Sequence, residues 1–114
     1  MDEVLKQAKA LADALRGSDV YNAYRRERIR VAENPALADN MLTFKKKQAA
    51  FELKRLQNQP VTFDEEKHIS HLYAELSQNE TAKRYLDRES AFLNVYRQVT
   101  DMLNDACEID ITYQ

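Results

Sequence analysis

Glycine occurs once and proline twice among the 114 residues of this chain. Average usage is roughly 7% glycine and 5% proline, so the many tight turns of a sheet protein are not encoded here. A single glycine also excludes the P-loop, the dinucleotide fingerprint and the Gly-x-Ser-x-Gly elbow, each of which needs at least two. One cysteine, Cys107, leaves no internal disulfide. No apolar run approaches the roughly 18 residues of a membrane span, so no membrane insertion is expected. Met1-Asp2-Glu3 is acidic where a secretory signal is basic, which points to the cytoplasm.

What remains is a chain built for helices. Charged residues make up 32% and hydrophobic residues 44%, enough apolar surface to fold and too much for a disordered segment. The length suits one domain, taken as residues 1–114. Charge is distributed unevenly. Residues 20–59 hold nine Lys/Arg against four Asp/Glu, whereas residues 60–114 hold five against eleven. Such a division favours contact between the basic middle and the acidic end, within a chain or between chains. The competing reading is two solvated faces of opposite sign.

Apolar spacing predicts five helices. Val4, Ala8, Leu11 and Leu15 form one stripe over about Asp2 to Arg16, and Gly17 stops it as a left-handed cap would. A second helix covers about Asp19 to Glu33, with Tyr21, Tyr24, Arg28 and Val31 on one face. Asn34-Pro35 ends it and starts a third, to about Asn58, with Asn34 as cap and Pro35 in the first turn. There Leu37, Met41, Phe44, Gln48 and Phe51 follow heptad spacing, and Leu42, Ala49 and Leu56 make a second row beside them. Thr62-Phe63-Asp64-Glu65 is a capping box for a fourth helix to about Leu76. Asn79 caps the last, about Glu80 to Ala106, whose seam runs Tyr85, Glu89, Phe92, Tyr96, Val99, Leu103 and Ala106. Beyond it, Ile109, Ile111 and Tyr113 alternate with polar residues in a tail, residues 108–114, which either pairs as a short strand or, as the simpler expectation, frays.

Chemistry-bearing residues are few. Glu65 and His68 give one Glu-x-x-His, but di-iron bundles need the motif twice and this chain has two histidines in all. His68, His71 and Glu75 fall on an outer face, where solvation is the simpler reading and a metal-dependent enzyme the rival. Cys107 ends a helix, whereas a catalytic thiolate is activated at a helix N-terminus or beside a base. Arg25, Arg26, Lys46 and Lys47 form a basic patch able to face a partner. RNA binding by this Arg25–Lys47 surface is the alternative function, although the chain is acidic overall and its aromatic rings fall on inward stripes.

The order of pieces is similar to a known family. An amphipathic first helix leads into Leu15-Arg16-Gly17-Ser18-Asp19-Val20-Tyr21. Asn34-Pro35-Ala36-Leu37 and Phe44-Lys45-Lys46-Lys47-Gln48 follow, then Leu72-Tyr73-Ala74-Glu75-Leu76-Ser77-Gln78-Asn79. The end is Tyr85-Leu86-Asp87-Arg88-Glu89-Ser90-Ala91-Phe92. Over nearly its whole length the chain resembles the YlbF/YmcA/YheA family of small helical bacterial proteins. The resemblance implies an all-helical fold, self-association and a regulatory, non-catalytic role in competence, biofilm formation and sporulation. It implies complexes that influence messenger-RNA processing by a membrane-associated ribonuclease. Some relatives supply C-terminal cysteines to iron–sulfur clusters, and here Cys107 can offer one ligand to a shared site.

The reading is therefore an all-α, elongated bundle of about five helices, two of them long and antiparallel, that forms dimers. Homodimers or higher homo-oligomers are expected, as are hetero-complexes with related regulators. No enzyme activity, cofactor, metal or direct nucleic-acid contact is expected. Phe44, Phe51, Phe92, Tyr96 and Leu103 are the expected core or interface anchors.

Overall fold

The computed structural model describes residues 2–108. They form α1 (Asp2–Arg16), α2 (Asp19–Ala32), α3 (Pro35–Leu56), α4 (Phe63–Ser77) and α5 (Glu80–Cys107), with no strand among the described residues. The tail residues Ile109, Ile111 and Tyr113 lie outside that range.

Side chains that satisfy free amides set the helix starts. The Leu37 amide donates to Asn34 Oδ1 at 3.2 Å, and Pro35 fills the first turn of α3. At α4 the Glu65 amide donates to Thr62 Oγ1 at 3.0 Å while Glu65 reaches back to the Thr62 amide, completing the capping box. Asn79 Oδ1 accepts from the Ala82 amide at 3.0 Å to start α5. Ser18 does the same for α2, accepting from the Tyr21 amide at 3.2 Å.

The ends are less as expected. Gly17 is not left-handed. Its amide still donates to Asp13 O at 3.0 Å, and Ser18 Oγ donates to Leu15 O at 2.7 Å, so the hydroxyl and not a glycine conformation closes α1. The left-handed cap stands at Asn58, with φ 56°. The Asn58 amide donates to Arg55 O at 3.1 Å and the Gln59 amide to Lys54 O at 2.8 Å, the paired bonds of a Schellman ending.

The chain divides into two compact units, Arg25–Leu86 and Met1–Tyr24 together with Asp87–Gln114. The Arg25–Leu86 unit contains every buried side chain among the described residues: Val31, Leu37, Met41, Phe44, Leu76, Ala82, Tyr85, Leu86 and Glu27. Phe44, 1% exposed, is its centre, with the Tyr73 ring 5.9 Å away. Lys45 Nζ lies 5.7 Å from the Tyr85 ring centroid, within cation–π range.

The other unit has a ring cluster instead of a sealed core. Tyr24 stacks on Phe92 at 5.7 Å, with planes 3° apart. Tyr21 lies 5.1 Å from Phe92, and Tyr96 lies 6.3 Å from it. No residue of α1 is buried.

Candidate functional site

Two small grooves lie in the Arg25–Leu86 unit. One groove between α3 and α4, about 220 Å³, is lined by Leu37, Asn40, Thr43, Leu72, Glu75, Leu76 and Asn79. A second, about 160 Å³, brings Lys47 and Phe51 together with Ala50, Lys54, Glu65, His68 and Ile69. Substrate pockets usually occupy about 300–1,000 Å³, so both are below the size at which a small molecule is enclosed.

The two histidines lie on α4 and the cysteine ends α5. His71 Nε2 and Glu75 Oε1 are 2.9 Å apart on the exposed face of α4. His68 lines the smaller groove. Among the described residues, no three His, Cys, Asp or Glu side chains are grouped so as to hold a metal ion. Cys107 is exposed and is the only thiol, so the residues present do not fit an iron–sulfur cluster held by one chain. The Glu65 carboxyl is shifted by its surroundings. The Lys54 ammonium, 3.0 Å from Oε2, holds it below the ordinary 4.5, helped by the Thr62 amide and hydroxyl.

What the molecule does present is apolar helix surface. In α1, Val4 and Leu5 are well over half exposed and Leu11 is exposed too. In the same unit the second half of α5 leaves Leu93, Tyr96, Met102 and Leu103 exposed, each by 50% or more. A 15-residue helix with nothing buried is marginal in water, because propagation must overcome a costly nucleus without tertiary help.

The five anchor residues are therefore distributed along a gradient of burial. Phe44 is sealed in the core, and Phe51 and Phe92 are half-buried, Phe51 in the smaller groove and Phe92 in the ring cluster. Tyr96 is 50% exposed and Leu103 54%. Of the five, Phe92 and Tyr96 are in ring contact with each other. Arg25 and Arg26 are exposed on α2, Lys46 and Lys47 on α3. The rings that could stack on bases nearby are engaged, Tyr24 on Phe92 and Phe44 inside the core.

Sequence periodicity missed Glu27. The expected inward face of α2 contained Arg28, yet Arg28 is exposed and Glu27 is 6% exposed. Glu27 Oε1 accepts from Arg30 Nη1 at 2.7 Å. Its Oε2 lies 3.5 Å from Arg84 Nε, too poorly aligned for a hydrogen bond. Arg84 in turn donates through Nη1 to Glu80 Oε1 at 2.7 Å. The carboxylate thus links α2 to the start of α5 within the Arg25–Leu86 unit. Four-residue spacing from Glu27 to Val31 is the only signal of it in the sequence.

Comparison with known proteins places this arrangement. Residues 4–108 match the family described as Control of competence regulator ComK, YlbF/YmcA. The chain belongs to the YlbF/YmcA family. Relatives of the YlbF/YmcA chain include a UPF0342 protein of Caldicellulosiruptor saccharolyticus, 28% identical over 109 residues, covering 96% of this chain and 91% of that one. A UPF0342 protein of Halothermothrix orenii is 27% identical over 105 residues, covering 92% and 89%. A solved structure, a Protein of Unknown Function (DUF964) from Bacillus stearothermophilus, superposes with TM-score 0.78 at 18% identity, covering 93% of each chain. That likeness establishes the shared YlbF/YmcA fold. No helix of the described residues is long and apolar enough to cross a membrane.

Proposed function

We propose that this YlbF/YmcA-family chain is a non-catalytic regulator or adaptor in the bacterial cytoplasm, acting through self-association and helix-mediated contacts with related regulators. One observation carries the reading: among the described residues, the unit formed by α1, the start of α2 and α5 from Asp87 onward contains no buried side chain, although its apolar stripes follow helical periodicity. Periodicity of that kind encodes a buried face. A face that is periodic in sequence and bare in the single chain is one that a second protein covers. The family's link to the competence regulator ComK supports a developmental setting for those contacts.

Sedimentation velocity over roughly 1–100 μM protein, the span of ordinary helix-pair affinities, tests the first part. The expected result is a dimer or larger species. The second part is tested by mixing the purified chain with other purified family members and looking for a heavier co-sedimenting species. A chain that stays single across the range and binds none of its relatives would refute the proposal.

A further inference from the structure

The C-terminal end of α5 runs against helix electrostatics. A helix C-terminus carries partial negative charge and is stabilised by cations, yet no basic residue stands in the last turn of α5. Asp105 lies in that turn, Asp101 one turn before it, and Glu108 follows the helix end; all three are exposed. Like charges four residues apart on a helix also repel each other. Arg97 is spaced to relieve Asp101 from four residues away, but its Nη2 donates to Asn94 Oδ1 at 2.8 Å instead. Among the described residues neither aspartate has a hydrogen bond or an ion pair. No three His, Cys, Asp or Glu side chains there are grouped so as to hold a metal ion. Met102, between the two aspartates in sequence, is 68% exposed. Departures from a local rule without an internal compensation mark functional surface. The chemistry that answers this patch is cationic side chains around an apolar centre.

The outer face of α2, in the Arg25–Leu86 unit, carries that chemistry. Arg25 and Arg26 are exposed, and among the described residues neither has a hydrogen bond or an ion pair. They stand four and three residues before Ile29, so all three share one side of the helix. Ile29 is 48% exposed, whereas Glu27 and Val31 are buried on the other side. Adjacent guanidinium groups suit a pair of carboxylates, because each donates two parallel bonds to one carboxylate and is weakly hydrated. The two patches are opposite in charge and alike in their apolar centres. A second copy of the chain is the partner whose chemistry answers both patches at once.

We propose that the Arg25–Arg26–Ile29 patch of one copy docks on the Asp101–Met102–Asp105 patch of a second copy, so that guanidinium groups supply the charge missing at the end of α5. The proposal rests on the self-association reading above and specifies one of its contacts.

The test reverses charge in the full-length chain. One variant carries Arg25→Glu and Arg26→Glu, the other Asp101→Arg and Asp105→Arg. All four side chains are exposed, so both variants are expected to keep the helix content of the wild type by circular dichroism. Each variant alone presents like charge on both patches. Each is expected to lose self-association about tenfold or more in sedimentation velocity at low salt. An equimolar mixture makes the patches complementary again between unlike copies and is expected to restore association as a mixed species. Two variants that each associate like the wild type would overturn this contact and leave self-association standing. Loss in both variants without restoration in the mixture would overturn it too. A wild-type chain that sediments as a single copy throughout would overturn both readings.

Discussion

Replacing Phe44 by alanine separates what the chain stabilises by itself from what a partner adds. Phe44 is the one large side chain sealed below 2% exposure, inside the unit that holds every buried residue described. Truncation returns about 100 Å² of apolar surface, worth roughly 2.5 kcal/mol at 25 cal/mol per Å². The cavity left behind adds a similar amount if the site does not collapse, so the loss should fall at about 3–5 kcal/mol. Tyr73 loses its ring neighbour as well. Urea unfolding followed by circular dichroism at two protein concentrations tenfold apart gives the number. The loss should be the same at both, because the chain itself already covers Phe44 to 1% exposure. A loss below about 2 kcal/mol would show that the core is centred elsewhere. A loss that changed with concentration would show that Phe44 belongs to an interface.

Leu103→Asp should behave in the opposite way, leaving single-chain stability within about 0.5 kcal/mol, since the side chain is 54% exposed, while weakening association measured by sedimentation. Glu27→Ala should cost about 1.5–3 kcal/mol in urea titration, because Arg30 and Arg84 lose their carboxylate; no measurable change would mean that the network is decorative. Thr62→Ala removes the α4 cap and should cost about 1 kcal/mol. Glu65 is held below its ordinary 4.5 chiefly by Lys54, so its contribution is fully present above that value and is lost as pH falls through the lowered one. Carboxyl-carbon NMR titration should therefore find Glu65 titrating below the ordinary value in the wild type and returning toward it in Lys54→Met.

Helix boundaries were legible because local chemistry writes them. Asn34-Pro35, Thr62 with Glu65, and Asn79 are each a donor-satisfying device complete within four residues, and each is found where the sequence puts it. Gly17 misled because glycine permits a left-handed cap without requiring one, and the neighbouring Ser18 hydroxyl made it unnecessary. The left-handed cap of α3 was an asparagine in a polar loop, with no pattern to single it out. Glu27 was missed because a helical wheel assigns carboxylates outward by type, and only its pairing with arginines on α2 and α5 makes its burial tolerable. The α5 seam shows a deeper limit. Its periodicity is unbroken from Tyr85 to Leu103, yet the first is buried and the last is exposed. Periodicity states that a side needs covering and is silent on which molecule does the covering.

The bareness of α1 makes it a built-in reporter. Helical amides with no tertiary cover open readily and trade their hydrogens with solvent at close to the rate of a free peptide. Those near Phe44 wait for the whole unit to open. Any molecule that closes over Val4, Leu5 and Leu11 would slow the exchange of α1 and leave the centre almost untouched. Deuterium uptake by fifteen residues at one end of the chain thus measures occupancy directly, without a label and without knowing in advance what binds.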